Sequence, residues 1–423
     1  MSNKKSGLFS LPLYLQILIG MVLGIVIGFV ALKMDNARFV QHWIVPWGQI
    51  FIRLLQMIAI PLIFVSLVKG VIGLKDISKF SRIGGKTIAI YMGTTVIAVL
   101  LGLGMGLIVK PGEMVDKSKI AHIQESYNSA IEDKAQTAQL AKEEGPLNFL
   151  NDIVPANILQ SASGNSNMLQ VIFFAVFFAI AALTLKHEKI RTVIDFFDGL
   201  NEIILRMIHY IIKAAPIGVT ALMAGLVTDF DGDSSVFAAL IVYTITVIIG
   251  LLILILIFYP SLVHFFTKIG ARRFIKAMYP VQLFAFTTSS SAVTLPLNME
   301  TVENELKVSR ETTSFVLPIG ATINMDGTSC YQTIAVLFIA QVLGIELGLQ
   351  ELLTIILMTV LSSIGTPSIP GGSYVVMAMV LTSVGIPAEG LALIIGVDRP
   401  LDMLRTAVNV TGDATVATII DRE

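Results

Sequence analysis

The stretch from Val397 to Asp413, VDRPLDMLRTAVNVTGD, sets carboxylates, guanidinium groups and an amide inside the last long apolar segment of the chain. At about 100° per residue, Asp398, Asp402, Arg405, Thr406, Asn409 and Asp413 fall at roughly 0°, 40°, −20°, 80°, 20° and 60°, within one arc about 100° wide. On a soluble helix that arc is an ordinary solvated face. In a bilayer each such group costs several kcal/mol unless it meets a partner, a cavity or a ligand.

Composition decides between the two settings. Over 423 residues the chain is 55% hydrophobic and 14% charged, with mean hydropathy +0.80, too apolar for a water-soluble fold. It reads as an all-α integral membrane protein, because helices satisfy their own backbone groups in hydrocarbon. A net charge of −1 provides no broad surface for nucleic acid, and no zinc-type cluster is present. The single cysteine, Cys330, excludes an intrachain disulfide and reads as a small core side chain. Lys4 and Lys5 precede an apolar run, Leu11 to Leu32, that is too long for a signal peptide and lacks a small-residue cleavage site. It reads as a retained first span with its amino terminus inside.

Further spans lie near 44 to 73, 83 to 110, 167 to 185, 192 to 226 and 236 to 266, several longer than a perpendicular helix needs, which predicts tilted or broken helices. Lys75, Lys79, Arg82 and Lys86, then Lys186, Lys189 and Arg191, then Lys268, Arg272, Arg273 and Lys276 mark cytoplasmic loops, whereas Asp229, Asp231 and Asp233 lie opposite. Both termini are therefore expected in the cytoplasm, in the inner (plasma) membrane. Residues 111 to 166 form one long hydrophilic segment, with mixed charges from Glu125 to Glu144, expected to be a solvated extracytoplasmic loop. Arg53, Arg206, His209 and Lys213 sit where long side chains snorkel. Tyr91, Thr94 and Thr95 in the third span are a weak signal that supplies oxygens at membrane depth.

After Lys276 the pattern changes. Residues 277 to 298 are two short apolar arms around Thr287, Thr288, Ser289, Ser290 and Ser291. Neither arm spans alone, so they read as a re-entrant hairpin buried in protein. The next helix, about 309 to 341, is interrupted at Gly320 and in Asn324, Met325, Asp326, Gly327 and Thr328. The plan then recurs: arms over 351 to 384 flank GTPSIPGGS at Gly365 to Ser373, whose prolines and glycines break a helix, and a polar helix follows over 388 to 420. About eight transmembrane helices plus two re-entrant helical hairpins in inverted repeats are expected, a pattern that points to a transporter site near the midplane.

Half-helix N-termini at the hairpin tips favour anions. Unwound carbonyls near Gly320, Thr322 and Asn324 and around Ser363 to Thr366, with Asp326 and Asp413, are hard oxygen ligands for a desolvated alkali cation. Arg405 offers a planar fork to a carboxylate, and Asp402, one turn away, can meet an ammonium. Together they fit an acidic amino acid. A competing account has Asp398, Asp402 and Arg405 simply neutralising one another at helical spacing; two broken hairpins aimed at one helix favour function. A serine hydrolase using Ser289, Ser290 or Ser291 is weakened by the absence of histidine after His264. A passive channel leaves the Arg–Asp constellation unexplained, and a plain C4-dicarboxylate has little use for Asp402.

These residues resemble the glutamate/aspartate transporter family, the dicarboxylate and amino acid:cation symporters that include the excitatory amino acid transporters. The likeness runs through RLLQMIAIPLIF, NMLQVIFFA, KAAPIGV, TSSSAVTLP, NMDGT, IPGG and LDMLRTAVNVTGD. It implies sodium-coupled import of aspartate or glutamate by a homotrimer in the lipid bilayer, with an elevator-type movement. Scaffold helices 1 and 2 would fall in 1–75, transport-domain helix 3 in 76–110, the extracytoplasmic loop and scaffold helices 4 and 5 in 111–226, transport-domain helix 6 in 227–271, hairpin 1 and helix 7 in 272–341, and hairpin 2 and helix 8 in 342–423.

The resemblance further implies that Arg405 holds the substrate side-chain carboxylate and Asp402 its amine. Thr328, Asn409 and the Ser289–Ser290 tip would take the main carboxylate, with Ile369, Pro370, Gly371 and Thr406 lining the site. One sodium ion would use Asp413 with carbonyls of Gly320, Asn324 and Asn409. A second would use carbonyls of Thr322, Ser363, Ile364 and Thr366, and a third Asp326, Asn324, Tyr91, Thr94 and Thr95, with Met325 in the same unwound stretch. Asp398 is expected to hold a hairpin tip. Thr288 and Met403 stand where relatives carry an arginine, and Gln56 where many have lysine; Arg399, at about 100° and just off the polar arc, is a candidate electrostatic substitute.

Overall fold

The computed structural model describes residues 11, 13–73, 81–115, 153–164, 167–230, 232–366, 371 and 373–422. Ile369 and Pro370, the charged run Glu125 to Glu144, and Lys75, Lys79 and Asp231 lie outside the described residues. Among those described, every regular element is helical. In chain order these are α1 (Leu13–Lys33), α2 (Val45–Gly73), α3 (Ser81–Val109), α4 (Met168–Leu183), α5 (His187–Lys213), α6 (Ala215–Asp229), α7 (Ser234–Ile253) and α8 (Tyr259–Phe266). There follow α9 (Ala271–Thr288), α10 (Ser291–Asn304), α11 (Arg310–Ile323), α12 (Asp326–Leu343), α13 (Leu349–Gly365), α14 (Ser373–Ser383) and α15 (Ile395–Ile420).

Among the described residues, four continuous helical stretches are long and apolar enough to cross a membrane, Leu15–Lys33, Ala37–Ile72, Gly84–Met114 and Ser234–Phe266, and a bent pair makes a fifth. That pair shows where one of the over-long spans is broken. The span expected over 192 to 226 is two helices, α5 and α6, meeting at Ala214 with a 50° bend. Pro216, at the start of α6, has no N–H to offer the preceding turn and its ring crowds the carbonyl four residues back. The other differences are local. A π-turn over Val40–Ile44 leads into α2, another over Leu254–Phe258 joins α7 to α8, and the segment expected as one helix from 388 begins as a 3₁₀ turn over Ala388–Leu393.

Packing divides the helices. α1 packs with α6, and α2 with α4, α5 and α6; α3 packs with α12; and α13 and α14 lie against α2 as well as α12. The seam between α1 and α6 is made by Gly20, Gly24 and Gly28, one per helical turn, set against Pro216, Thr220, Met223 and Val227. A Cβ at Gly24 would run into the Thr220 carbonyl and the Met223 Cβ, so this crossing depends on small residues that let two backbones approach. Gly24→Val is therefore expected to cost about 1–3 kcal/mol of overpacking. A lowered melting temperature of the purified protein in micelles is the readout, and an unchanged one contradicts the close crossing.

The hub is α15. It packs against α8, α9, α10, α11 and α12, and every residue from Arg405 to Ile420 is buried. A helix buried on all sides ordinarily carries apolar groups on all sides. This one carries an arginine, an asparagine and aspartates, and so its neighbours must supply their partners.

Candidate functional site

Arg405, 0% exposed, extends from α15 between two acids of its own helix. Its Nη2 donates to Asp402 Oδ1 at 2.9 Å and to Ser373 Oγ at 3.2 Å, and lies 3.1 Å from Asp398 Oδ1. The Tyr331 ring covers the guanidinium, with its centroid 3.8 Å from the Arg405 Cζ, where the ring quadrupole favours a cation. Nε and Nη1 are buried with no hydrogen-bond partner among the described residues. Buried donors left unpaired are costly, and an acceptor placed there recovers that cost. On the other side of Asp402, Arg399 Nη1 donates to Oδ2 at 2.9 Å. Asp398, expected to hold a hairpin tip, pairs with Arg405, which also donates to Ser373, the first residue of α14, and Asp398 itself hydrogen-bonds with Tyr374, the next residue of that helix.

One turn on, Thr406 donates its hydroxyl to the Asp402 carbonyl at 2.9 Å. Asn409 is drawn into the helix crossing: its Oδ1 accepts from the Gly327 N–H at 2.8 Å, and its Nδ2 reaches Thr328 Oγ1 at 3.4 Å and Met325 Sδ at 3.3 Å. The approach is close because Gly327 has no side chain; a Cβ there would sit 2.7 Å from the Arg405 carbonyl. Arg405, Asp402, Thr406, Asn409 and Thr328 are thus brought together where α15 meets the start of α12. Ser289 turns the chain between α9 and α10 with φ +50°, and its buried hydroxyl has no partner among the described residues. Ser290 caps α10 by accepting from the Val293 N–H. Gly371, with φ +77°, lies against Ile212 of α5.

A second polar centre surrounds the break between α11 and α12, where Asn324 is extended. Asp326 Oδ1 accepts from Thr95 Oγ1 at 2.6 Å and Oδ2 from the Tyr259 phenol at 2.9 Å. The Thr94 and Thr95 hydroxyls both lie at hydrogen-bond distance from the Tyr91 carbonyl, while the Tyr91 phenol donates to the Val316 carbonyl at 3.1 Å. Asp413 Oδ1 accepts from Asn324 Nδ2 at 2.9 Å, and the same amide reaches the Asn409 carbonyl at 3.3 Å. Gly320 faces Asp413 and the Tyr91 phenol so closely that a Cβ would collide with both. Asn324 Oδ1 is buried without a partner among the described residues.

The carbonyls expected from Thr322 and from Ser363, Ile364 and Thr366 lie at the C-terminal ends of α11 and α13, which pack against each other. Terminal helix carbonyls lack donors, and the dipole there is negative, both favourable to a cation. The hydroxyls of these residues take no part: Thr322 donates to Pro318, Ser363 to Val360 and Thr366 to Ser362, each in its own helix.

Among the described residues the buried charged side chains are Asp326, Asp398, Asp402, Asp413 and Arg405. Arg405 serves Asp398 and Asp402, so Asp326 and Asp413 keep only hydroxyl and amide donors. Sequence reasoning did not find Tyr259, Tyr331 or Ser373. Tyr331 stands three residues after Thr328 on one helix, a spacing that shares a face; Tyr259, a lone hydroxyl in an apolar run, carried no comparable signal.

Comparison with known proteins bears on these groupings. The proton/sodium-glutamate symport protein of Geobacillus stearothermophilus is 36% identical over 417 residues, covering 96% of this chain and 93% of that protein. The proton/glutamate-aspartate symporter of Escherichia coli (strain K12) is 34% identical over 411 residues, 96% and 91% of the two chains. Excitatory amino acid transporter 1 of Ambystoma tigrinum is 34% identical over 444 residues, 95% and 81% of the two chains. All of these are transporters, and none is a hydrolase. A family profile matches residues 13–423, and the chain accordingly belongs to the sodium:dicarboxylate symporter family.

Proposed function

We propose that this multi-pass membrane protein is a secondary active symporter that imports an acidic amino acid, aspartate or glutamate, together with sodium. The observation that carries the reading is the division of buried charge. One arginine has unpartnered donors beside an aspartate, and two further aspartates have no basic partner among the described residues. Burying a carboxylate without a counter-charge costs several kcal/mol, and a hard monovalent cation held by carboxylate and carbonyl oxygens removes that cost. The names of the relatives agree in an acidic amino acid substrate, and one of them names sodium beside the proton where the other names the proton.

Under this reading Arg405 receives the substrate side-chain carboxylate and Asp402 its ammonium. Thr328, Asn409, Ser289 and Ser290 lie on the main-carboxylate side, with Thr406, Gly371, Ile369 and Pro370 closing the site. Asp413 with Gly320, Asn324 and Asn409, Asp326 with Asn324, Met325, Tyr91, Thr94 and Thr95, and Thr322 with Ser363, Ile364 and Thr366 supply the ion sites. The pairs α9–α10 and α13–α14 act as re-entrant hairpins that complete about eight spans. Helices α1, α2 and α4–α6 form a scaffold in a homotrimer, past which the remaining helices carry the cargo. The protein sits in the plasma membrane with both termini cytoplasmic. Trp43 and Trp47, the chain's two tryptophans, are 69% and 61% exposed in the π-turn before α2 and in the first turn of α2, a placement typical of a bilayer interface.

The test is uptake of radiolabelled aspartate into proteoliposomes. One net positive charge moved through 100 mV supplies about 2.3 kcal/mol, against about 1.4 kcal/mol for a tenfold gradient. Sodium-dependent accumulation beyond tenfold is expected under an inward sodium gradient with an interior-negative potential. Uptake indifferent to sodium rejects the coupling. A specific feature favours a second reading, a C4-dicarboxylate symporter: Asp402 already has a cationic partner in Arg399.

A further inference from the structure

That partner sits in an unusual position. Asp402 is held on both oxygens, Oδ1 by Arg405 and Oδ2 by Arg399, each at 2.9 Å. The two arginines are not equivalent. The Arg405 side chain is 1% exposed and is held by Asp398, Asp402 and Ser373 under the Tyr331 ring. The Arg399 side chain is 14% exposed, its only hydrogen-bond partner among the described residues is Asp402, and its Nε is buried without a partner. Arg405 is therefore built in, whereas Arg399 is a tether held at one end, next to the exposed Pro400 at the rim of the site.

Charge accounting gives the tether a meaning. Asp398 with Arg405 is neutral, and Asp402 with Arg399 is neutral. An amino acid ammonium at Asp402 competes with the Arg399 guanidinium for the same carboxylate, and a displaced Arg399 reaches water by a short movement of a side chain already at the rim. A dicarboxylate lacking an amine offers Asp402 nothing; Asp402 then stays compensated only if Arg399 remains in place. We propose that Arg399 is a specificity-determining residue, the chain's own stand-in for a substrate amine, which neutralises Asp402 until an ammonium displaces it and so limits how sharply the site separates acidic amino acids from amine-free dicarboxylates. This rests on the assignment of Asp402 to the substrate amine.

The test compares two ligands on the full-length purified protein at saturating sodium, with aspartate and succinate titrated by calorimetry. In Arg399→Gln, succinate meets an uncompensated Asp402 while aspartate brings its own counter-charge. The ratio of succinate to aspartate dissociation constants is expected to rise about tenfold or more, in the range of coupling between close charge pairs. Arg399→Lys keeps a cation and should hold the ratio within about threefold of the unmodified protein, well inside the spread of such couplings. A role in folding alone would weaken both ligands equally, so an unchanged ratio in Arg399→Gln overturns the proposal. Failure of the underlying reading looks different: the unmodified protein then binds succinate more tightly than aspartate, or binds no aspartate, before any substitution is made.

Discussion

Arg405→Ala is expected to reduce affinity for aspartate and glutamate by about thirty- to several thousandfold, the equivalent of about 2–5 kcal/mol for truncating one member of a buried, hydrogen-bonded charge pair. Three losses coincide in one substitution. The substrate carboxylate loses the fork it would meet. Asp398 and Asp402, 1% and 9% exposed, lose the guanidinium that compensates them. The Tyr331 face loses the cation stacked upon it. Arg405→Lys should recover little, because an ammonium on a flexible stem neither lies flat on the ring nor spans two carboxylates and an incoming third. Calorimetric titration at saturating sodium is the measurement, with sodium-induced thermal stabilisation checked in parallel to show that each variant is folded. Full aspartate affinity in a folded Arg405→Ala protein rejects the assigned role.

The two polar centres differ in how much of them could be read from sequence, and the reason is the range of the interactions. The Asp398, Asp402 and Arg405 cluster lies on one helix at spacings of three, four and seven, so helical geometry alone predicts that the groups meet. The competing view, that these groups neutralise one another, describes bonds that do form, but it leaves Nε and Nη1 of Arg405 without partners among the described residues. Arg399 lay off the arc, yet it reaches Asp402 because residues three apart are neighbours and an arginine stem is long. The break after Ile323 was legible from polar residues and a glycine inside an apolar helix. For the bend at Ala214, the length of the span over 192 to 226 predicted a tilt or a break without saying where it falls, just before Pro216. Least legible from the residues alone were the partners of Asp326. Thr95 and Tyr259 come from α3 and α8; the family resemblance grouped Thr95 with Asp326 but not Tyr259, and no local rule specifies which side chains a tertiary fold will place opposite a buried carboxylate.

That second centre makes a prediction whose sign separates ion binding from structure. Asp326→Asn and Asp413→Asn each replace a buried carboxylate that has no basic partner among the described residues with a neutral group of nearly the same shape. If the charge only supports the fold, the change is destabilising under every condition. If it awaits a cation, the sodium-free protein is relieved of an uncompensated buried charge, while the sodium-bound protein loses a ligand. Sodium stabilises the unmodified protein in proportion to the logarithm of its concentration over its dissociation constant, about 2.7 kcal/mol at a hundredfold excess. The variants are therefore expected to melt no lower than the unmodified protein without sodium, and to show a sodium-dependent rise in melting temperature that is much reduced. Their apparent sodium affinity should fall by about thirtyfold or more, the effect of removing one partner from a buried charge pair. The two sites should also differ from each other. Asn324 Nδ2 donates to Asp413 and can keep donating to an amide oxygen, so Asp413→Asn should preserve the fold most closely. In Asp326→Asn one of the two hydroxyls, Thr95 or Tyr259, must turn from donor to acceptor, and so this variant should show the smaller gain without sodium. Equal destabilisation with and without sodium in both variants would return these aspartates to a structural role.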